Sequence, residues 1–446
     1  MNKRQVTILW VIAIVLGAAV ATLKISQKQS TSSTIKRNRG QTLFESFPAT
    51  ETTSIDIRGT ADSVTLTKKD GKWKVSQRDG YPANNTFAND FIRTLGELKV
   101  TLALEAGPSF APRFGMDEAA SKPADRGLTA SFKDASGKEI AKVSLGKNIE
   151  NGAESSPMGG GGAVGRYVRN HADESGFYAV SEMFSSISSD PKRWLDSAFI
   201  NPEKIKSITV SALDKSDAAW KLTRDADTAE FKLDGASPTE VLDTTATNPL
   251  KSIFSYARFD DVVPVSQVAA RAATIGKRTA TLETFDGFTY TIHITPAKTD
   301  KAKPAPSESA GEPPAGEQFL LTVDVTAELA KERKKDEGEK PEDAKSKDMT
   351  FAEQQKTLAE KLTKEKGFSG ITFEVSKSTV EALLKERAAL LTKATPAPSA
   401  DAKPAANVQK FPGGMIARPP LTATTPPIEA VTPPISVPPA EDEPKK

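Results

Sequence analysis

The pattern of hydrophobic and polar positions occurs twice along this chain. Ser54 to Arg58 alternates apolar with polar residues, and a hairpin-like segment, Val64 to Val75, turns at Asp70-Gly71. Alternation is typical of half-buried strands, and Asp-Gly of tight hairpin turns. A helix-like segment follows, with one apolar face. The residues of this face are Phe87, Phe91, Leu95 and Leu98.

A second copy of this pattern begins at Ile205 to Val210. Trp220 to Leu233 resembles the first hairpin, and a second helix-like segment ends near Ala257. Later segments also match in pairs, each segment of the first copy having a counterpart in the second. The pairs are the hairpins Thr129 to Lys147 and Thr279 to Lys298, and the segments Gly176 to Ile187 and Ile371 to Leu384.

Two more strands and a short helix are predicted near the end of the first copy. Tyr167-Val168 and Phe177 to Val180 are the strands, and the helix carries Met183, Phe184 and Ile187. By the same comparison, Trp73 and Phe231 should occupy equivalent buried positions. A repeat this long indicates a duplicated domain, because solenoid units have periods of about 20–50 residues.

The predicted fold class is therefore α+β: two tandem copies of an antiparallel-sheet-plus-helix unit, preceded by a transmembrane helix and followed by a disordered tail. The second repeat carries an insertion at 299–367, which begins as a Pro-rich linker and continues as a Lys/Glu-rich exposed helix or disorder. The predicted domains are a signal anchor at 1–24, a polar tether at 25–42, a first repeat at 43–198, a second repeat at 199–391 and a Pro/Ala-rich tail at 392–446.

The tail is too poor in apolar residues to form a core and favours extended polyproline conformations. Composition favours a solvated tail over a docking element for another envelope protein, and leaves both possible.

The N-terminus predicts membrane attachment. Lys3 and Arg4 precede an uncharged apolar run from Val6 to Leu23, and a helix of this length spans about 27 Å, close to the hydrocarbon core of a bilayer. The alternative is a signal peptide cleaved after Ala21, because Ala19-Val20-Ala21 fits the small-x-small cleavage pattern. Either interpretation places the large domain outside the cytoplasm, and the favoured anchor would hold it, as a single-pass protein, at a bacterial inner membrane. Basic residues after the run oppose this orientation, but long domains translocate largely regardless of charge.

Composition narrows the possible chemistry. The chain of 446 residues has no cysteine and only two histidines, so disulfides, thiolate metal sites and Cys nucleophiles are excluded. The net charge of +2 is nearly balanced, and the Lys331 to Lys335 cluster is interleaved with Glu and lacks aromatic residues. These features argue against nucleic-acid binding.

No catalytic, cofactor or metal-ligating residue is assigned from the sequence. His171 lies in a polar segment and His293 in a strand pattern, and neither has metal-ligand spacing to other candidates. The glycine run Gly159 to Gly162, with Gly165, lacks the following Lys-Ser/Thr of a phosphate loop. The acidic pairs Asp260-Asp261 and Asp117-Glu118 are interpreted as solvated or helix-capping residues.

Several segments resemble the bacterial domain-of-unknown-function family 4340. They are the apolar start, Leu43 to Ile57, the GKWKV strand, the YPANNTF helix entry and FGMDEA at Phe114 to Ala119, which resembles an FGLD-plus-Pro element with Met116 in place of Leu and without the Pro. The likeness covers roughly Leu43 to Leu391. The resemblance implies a single-pass membrane-anchored protein, often encoded beside ABC-type transporters, and it implies no catalytic residues.

Two functions are therefore expected as alternatives. The first is an extracytoplasmic, non-catalytic accessory or scaffold protein, attached to the membrane through Val6 to Leu23 and working with ABC-type transporter subunits. The second is a periplasmic ligand-binding module that holds a glycan, lipid or peptide in the cleft between the two repeats.

Overall fold

The computed structural model describes most of the chain, in seven stretches. These are residues 14–25, 36–150, 163–173, 176–212, 218–298, 317–335 and 339–392. The predicted tail beyond Thr392, the Pro-rich start of the insertion at 299–316 and the glycine run at 159–162 lie outside the described residues.

The described residues form an α+β fold with two antiparallel sheets and few helices, as the sequence predicts at this level. The first sheet has the order β4-β3-β2-β1-β6-β7-β8-β9-β5. Its strands are β1 (Ser54–Arg58), β2 (Ser63–Lys69), β3 (Lys72–Val75), β4 (Tyr81–Pro82), β5 (Val100–Leu104), β6 (Leu128–Lys133), β7 (Glu139–Glu150), β8 (Ala163–Asn170) and β9 (Phe177–Val180).

The second sheet has the order β12-β11-β10-β14-β15-β16-β17-β13. Its strands are β10 (Ile205–Ala212), β11 (Ala218–Thr223), β12 (Lys232–Leu233), β13 (Asp261–Val263), β14 (Arg278–Thr284), β15 (Phe288–Pro296), β16 (Gln318–Ala327) and β17 (Thr372–Ser376). The helices are α1 (14–25), α2 (Asn85–Glu97), α3 (Pro123–Arg126), α4 (Thr244–Thr247), α5 (Val265–Arg271), α6 (Pro341–Lys366) and α7 (Lys377–Leu384).

The second sheet repeats the strand order of the first, except that it has no counterpart of β4 among the described residues. The register of the strands also shows which residues of the two sheets correspond. Leu66 of β2 lies opposite Val75, and Leu222 of β11 lies opposite Leu233. Two residues before Val75 and Leu233 stand Trp73 and Phe231, which are 0% and 5% exposed. The predicted equivalence of these two buried aromatic residues is therefore confirmed.

Helix α2 has the predicted apolar face, with one exception. The Asn84 side chain accepts a hydrogen bond from the Phe87 backbone N–H and so caps the helix. Phe91 and Leu95 are buried against the first sheet, and the Phe91 ring lies 5.5 Å from the ring of Phe132. Phe87 is 44% exposed, contrary to the prediction, because the helical turn of about 100° per residue places it at the edge of the face that Ala88, Phe91, Ile92 and Leu95 bury.

The helix predicted to end near Ala257 is much shorter than its counterpart. Helix α4 has four residues and continues as a 3₁₀ helix, Asn248–Ser252, with Pro249 near its start. Proline has no backbone N–H and disfavours helical geometry at the residue before it. Pro249 therefore accounts for the difference between two segments with similar apolar spacing.

The predicted short helix at Met183 to Ile187 is wrong. This segment is a turn in which Phe184 has a left-handed φ of 52°, a conformation that an α-helix cannot continue. The turn places the buried Phe184 ring 6.0 Å from the ring of Phe91.

The predicted insertion at 299–367 is also wrong in part, because β16 lies inside it and pairs with both β15 and β17. Phe319, Leu321, Val323 and Val325 alternate along β16 and are buried. The later part of the segment forms α6, one of the two expected alternatives. Pro341 opens α6, where a missing N–H costs nothing.

The predicted membrane span is only partly described. Residues 14–25 form α1 with exposed side chains, while the start of the Val6 to Leu23 run lies outside the described residues. Over the stretches that the structure covers, none of the helices has both the length and the apolarity needed to cross a bilayer. The anchor therefore stays a prediction.

Candidate functional site

The FGMDEA segment packs on the face of β7 and brings Glu118 beside His171. The Ser144 hydroxyl lies 2.8 Å from His171 Nε2, and Glu118 Oε1 lies 3.7 Å from the same nitrogen. Lys142 pairs with Glu118 at 2.8 Å. The sequence indicated no such cluster, because its members are far apart along the chain.

These residues do not have the geometry of a catalytic triad. In a triad the acid orients the imidazole through the nitrogen opposite the nucleophile, whereas Ser144 and Glu118 approach the same nitrogen of His171. Ser144 is also 1% exposed, and its hydroxyl lies 3.2 Å from that of Thr129. The arrangement fastens the Glu118 segment to the sheet.

Burial lowers the pKa of His171 to about 4, and the nearby cations Arg169 and Lys142 act in the same direction, against Glu118. The fold therefore holds this imidazole neutral at pH 7. For Glu118, burial acts to raise the pKa, but the hydrogen bond and charge of Lys142, with smaller contributions from His171 and Arg169, lower it overall.

The lowered pKa of His171 should make the stability of the protein depend on pH. The His171 pKa is lower in the folded state, about 4, than its ordinary value of 6.5. The contribution of His171 to the free energy of unfolding is therefore complete above pH 6.5 and is lost as the pH falls towards 4. The loss should reach about 3 kcal/mol. Urea unfolding of the wild type and His171→Gln across this range should show a flatter profile for the variant.

His293→Gln is the matched control, because it removes the other histidine from an exposed position on β15, where Nδ1 lies 3.0 Å from the Thr279 hydroxyl. It should keep the wild-type slope. Parallel profiles for the wild type and His171→Gln would contradict the prediction.

A close backbone approach explains why the FGMDEA segment meets glycine on β7. A Cβ at Gly146 would lie 2.1 Å from the Phe114 carbonyl oxygen. The Phe114 ring lies 5.1 Å from Tyr167 and 5.2 Å from Phe177, and Met116 is 1% exposed. The segment is thus part of a small second core.

The two sheets meet at a buried ion pair. Arg78 follows β3 and donates to Asp261 of β13 with both arms of its guanidinium, Nε to Oδ1 at 2.7 Å and Nη2 to Oδ2 at 3.0 Å. Asp261 is 3% exposed. We call this contact region between the sheets the seam. Beside the pair, the Val265 N–H donates to Asp79 at 2.8 Å and so fixes the start of α5 to the first sheet.

On the neighbouring strand β17, Glu374 lies directly opposite Asp261 in the sheet register. Like charges at this spacing destabilise a sheet unless cations compensate. Arg78 binds Asp261, Arg271 binds Glu374, and Lys192 lies 3.7 Å and 4.0 Å from the two acids. The interpretation of Asp260-Asp261 as solvated residues is thus wrong for Asp261, while Asp260 is exposed.

Aromatic side chains from both sheets fill the seam beside these charges. The Tyr81 ring of β4 lies 6.1 Å from Phe373 and 5.8 Å from Phe259. Phe199, in the segment that links the sheets, lies 5.0 Å from Phe373. Tyr81 also donates to the Ala198 carbonyl at 3.3 Å.

Next to this aromatic packing is a cavity of about 360 Å³, which we call the seam cavity. Lys72 and Asn85 line it from the first sheet and its helix, and Lys364 and Phe368 from α6 and the segment after it. Asp196, from the linking segment, lies in its wall. The volume is within the usual range for small-molecule sites.

The other residues considered from the sequence have local roles. Arg333, within the Lys331 to Lys335 cluster, pairs with Glu339 at 2.7 Å and Asp348 at 2.9 Å. Gly165 lies in β8, where a Cβ would approach the Val180 carbonyl oxygen to 2.2 Å. Among the residues that the structure describes, no group of three or more acidic or histidine side chains could hold a metal ion.

The fold and the seam define a two-sheet α+β protein in which buried carboxylates and their cation partners join one sheet to the other. The family model described as Domain of unknown function (DUF4340) matches residues 73–276, which run from β3 to the loop after α5. The resemblance found in the sequence is confirmed over this range. Comparisons with curated proteins and with solved structures find no match.

Proposed function

We propose that this protein is a membrane-anchored, extracytoplasmic accessory or scaffold protein without catalytic activity, serving an ABC-type envelope transport system. In this proposal, Val6 to Leu23 is a single-pass anchor in a bacterial inner membrane and residues 25–42 are a tether. The repeats at 43–198 and 199–391 form the folded part that contacts the partners, and the tail at 392–446 is a spacer or a secondary contact.

The observation that carries the proposal is the seam. Asp261 and Glu374 are buried within it and are bound by cations from both sheets and from the linking segment. Such a contact holds two sheets in one fixed relation, because separating them would leave buried charges unpaired. A rigid body tethered to a membrane keeps its surfaces at high local concentration near membrane partners, so weak docking suffices.

Site-specific photocrosslinking tests this proposal in native membranes. A photoreactive amino acid would replace Tyr256, Ile275 or Met349, which are 97%, 77% and 67% exposed. We expect at least one position to capture an ABC-type transporter subunit. Capture should be lost when Val6 to Leu23 is deleted and kept when Thr395 to Lys446 is deleted. The scaffold role would be rejected if none of the three positions captured a transporter subunit. It would also be rejected if the anchorless protein complemented a null strain.

Protease added to spheroplasts tests the orientation. The protein should sediment with membranes and be digested from outside, because the sheets lie beyond the membrane in this proposal. Protection of the intact protein would reverse the orientation, and a soluble form that begins at Thr22 would establish cleavage instead of anchoring.

The seam cavity favours a second candidate function, a ligand-binding module. Its walls come from both repeats and from the linking segment, as in many sites formed at domain interfaces. The two functions are compatible, since a ligand held between the sheets would act on the same body that docks to a partner.

A further inference from the structure

We propose that the seam cavity binds a small amphiphilic anion, an organic carboxylate or phosphate monoester with a short apolar chain. This inference rests on the second candidate function and specifies its ligand. It follows from the two lysines, the apolar surface and the single carboxylate in the cavity wall.

Two cations from different parts of the fold converge on the cavity. Lys72 lies on β3 of the first sheet, and Lys364 lies in the last turns of α6, which belongs to the second. Both side chains are exposed, and neither makes an ion pair with any residue in the described stretches. Two unpaired ammonium groups beside one cavity raise the local potential and favour an anion.

The carboxylate in the wall is already engaged. Asp196 Oδ1 accepts a hydrogen bond from the Ala198 N–H at 2.8 Å, which fixes it to the linking segment. It offsets one of the two lysine charges, so the cavity keeps a net positive charge. A carboxylate head group matches that balance, and a phosphate monoester, with a charge of about −1.5 to −2 at pH 7, exceeds it by up to one charge.

The rest of the wall is largely apolar. Tyr81, Pro82, Phe368 and Ile371 line the cavity, and the Tyr81 hydroxyl is occupied by the Ala198 carbonyl. These groups offer few hydrogen bonds to a polyhydroxylated ligand such as a glycan. They offer contact area to an aliphatic chain, which gains about 0.8 kcal/mol for each buried CH₂.

Titration calorimetry tests the proposal with the full chain in zwitterionic lipid nanodiscs, with empty nanodiscs subtracted. The probes are octanoate, octyl phosphate, uncharged octanol and inorganic phosphate. We expect saturable binding of at least one amphiphilic anion, and weaker binding of octanol and of inorganic phosphate. Comparison of octanoate with octyl phosphate decides which head group is preferred.

Lys72→Gln and Lys364→Gln should each weaken binding of the preferred anion about five- to tenfold, as expected for loss of one charge-assisted contact. The free energy of unfolding should not change, because both lysines are exposed. Lys69→Gln is the matched control, since Lys69 lies directly opposite Lys72 in the same hairpin but does not line the cavity. It should change binding less than twofold.

Absence of saturable binding by both amphiphilic anions, octanol binding as tight as octanoate, or an equal loss in Lys69→Gln would overturn the proposal. None of these results depends on photocrosslinking in membranes. The ligand assignment can therefore fail while the scaffold role stands, and the reverse also holds.

Discussion

Asp261→Ala should destabilise the protein by about 3–5 kcal/mol, the usual cost of removing one partner of a buried ion pair. Arg78 would lose both hydrogen bonds to its carboxylate partner, and its side chain is only 14% exposed. Glu374 opposite would gain some relief from repulsion, but the guanidinium would remain buried without its partner. Chemical denaturation of the purified full chain measures the change.

Asp260→Ala is the neighbouring control, because this carboxylate is exposed; its effect should stay within about 1 kcal/mol. The double variant Arg78→Met/Asp261→Leu should recover most of the loss, since apolar replacement of a whole buried pair is often close to neutral. A near-neutral result for Asp261→Ala would mean that water reaches the seam, and would remove the argument for a rigid body.

Trp73→Ala should cost about 3–5 kcal/mol, as for other large aromatic residues deleted from a core. The Trp73 side chain is fully buried, and its Nε1–H donates to Asn89 Oδ1 at 2.9 Å. The substitution therefore leaves a cavity in the core, and it leaves the side-chain oxygen of Asn89 without its hydrogen-bond donor. Unfolding free energies of Trp73→Ala and the wild type provide the measurement.

Tyr256→Ala serves as the aromatic control, because Tyr256 is 97% exposed and its loss should change stability by less than about 0.5 kcal/mol. Should Trp73→Ala prove equally mild, Trp73 would belong to the surface and would become a candidate for binding.

The sheets were largely predictable because alternation along a strand is local information. Ile55 and Ile57 alternate with polar neighbours in the sequence, and both are fully buried. The register of the two hairpins even aligned Trp73 with Phe231. Strand β16 shows the limit of this reasoning, because it lies between a Pro-rich and a Lys/Glu-rich stretch, whose composition is typical of a linker or of disorder.

The seam could not be predicted, because its energetics depend on partners distant in sequence. Asp261 meets Arg78 across 183 positions, and nothing local separates it from the exposed Asp260 beside it. The same holds for His171, whose neutral state follows from burial beside residues of β7 and the FGMDEA segment. Composition alone does not define the surroundings of a side chain, so the sequence predicts a solvated Asp261 and does not indicate the burial of His171.

The brevity of β4 and β12 has a consequence for the behaviour of the protein in solution. Each of these strands ends its sheet and has only two residues, and Pro82 of β4 has no N–H to offer a further strand. Long, flat edges recruit other chains into continuous sheets, whereas short edges and prolines oppose this. At the β4 and β12 edges the sheets are therefore poor templates for intermolecular β-pairing, which protects the folded protein from aggregation through these two edges.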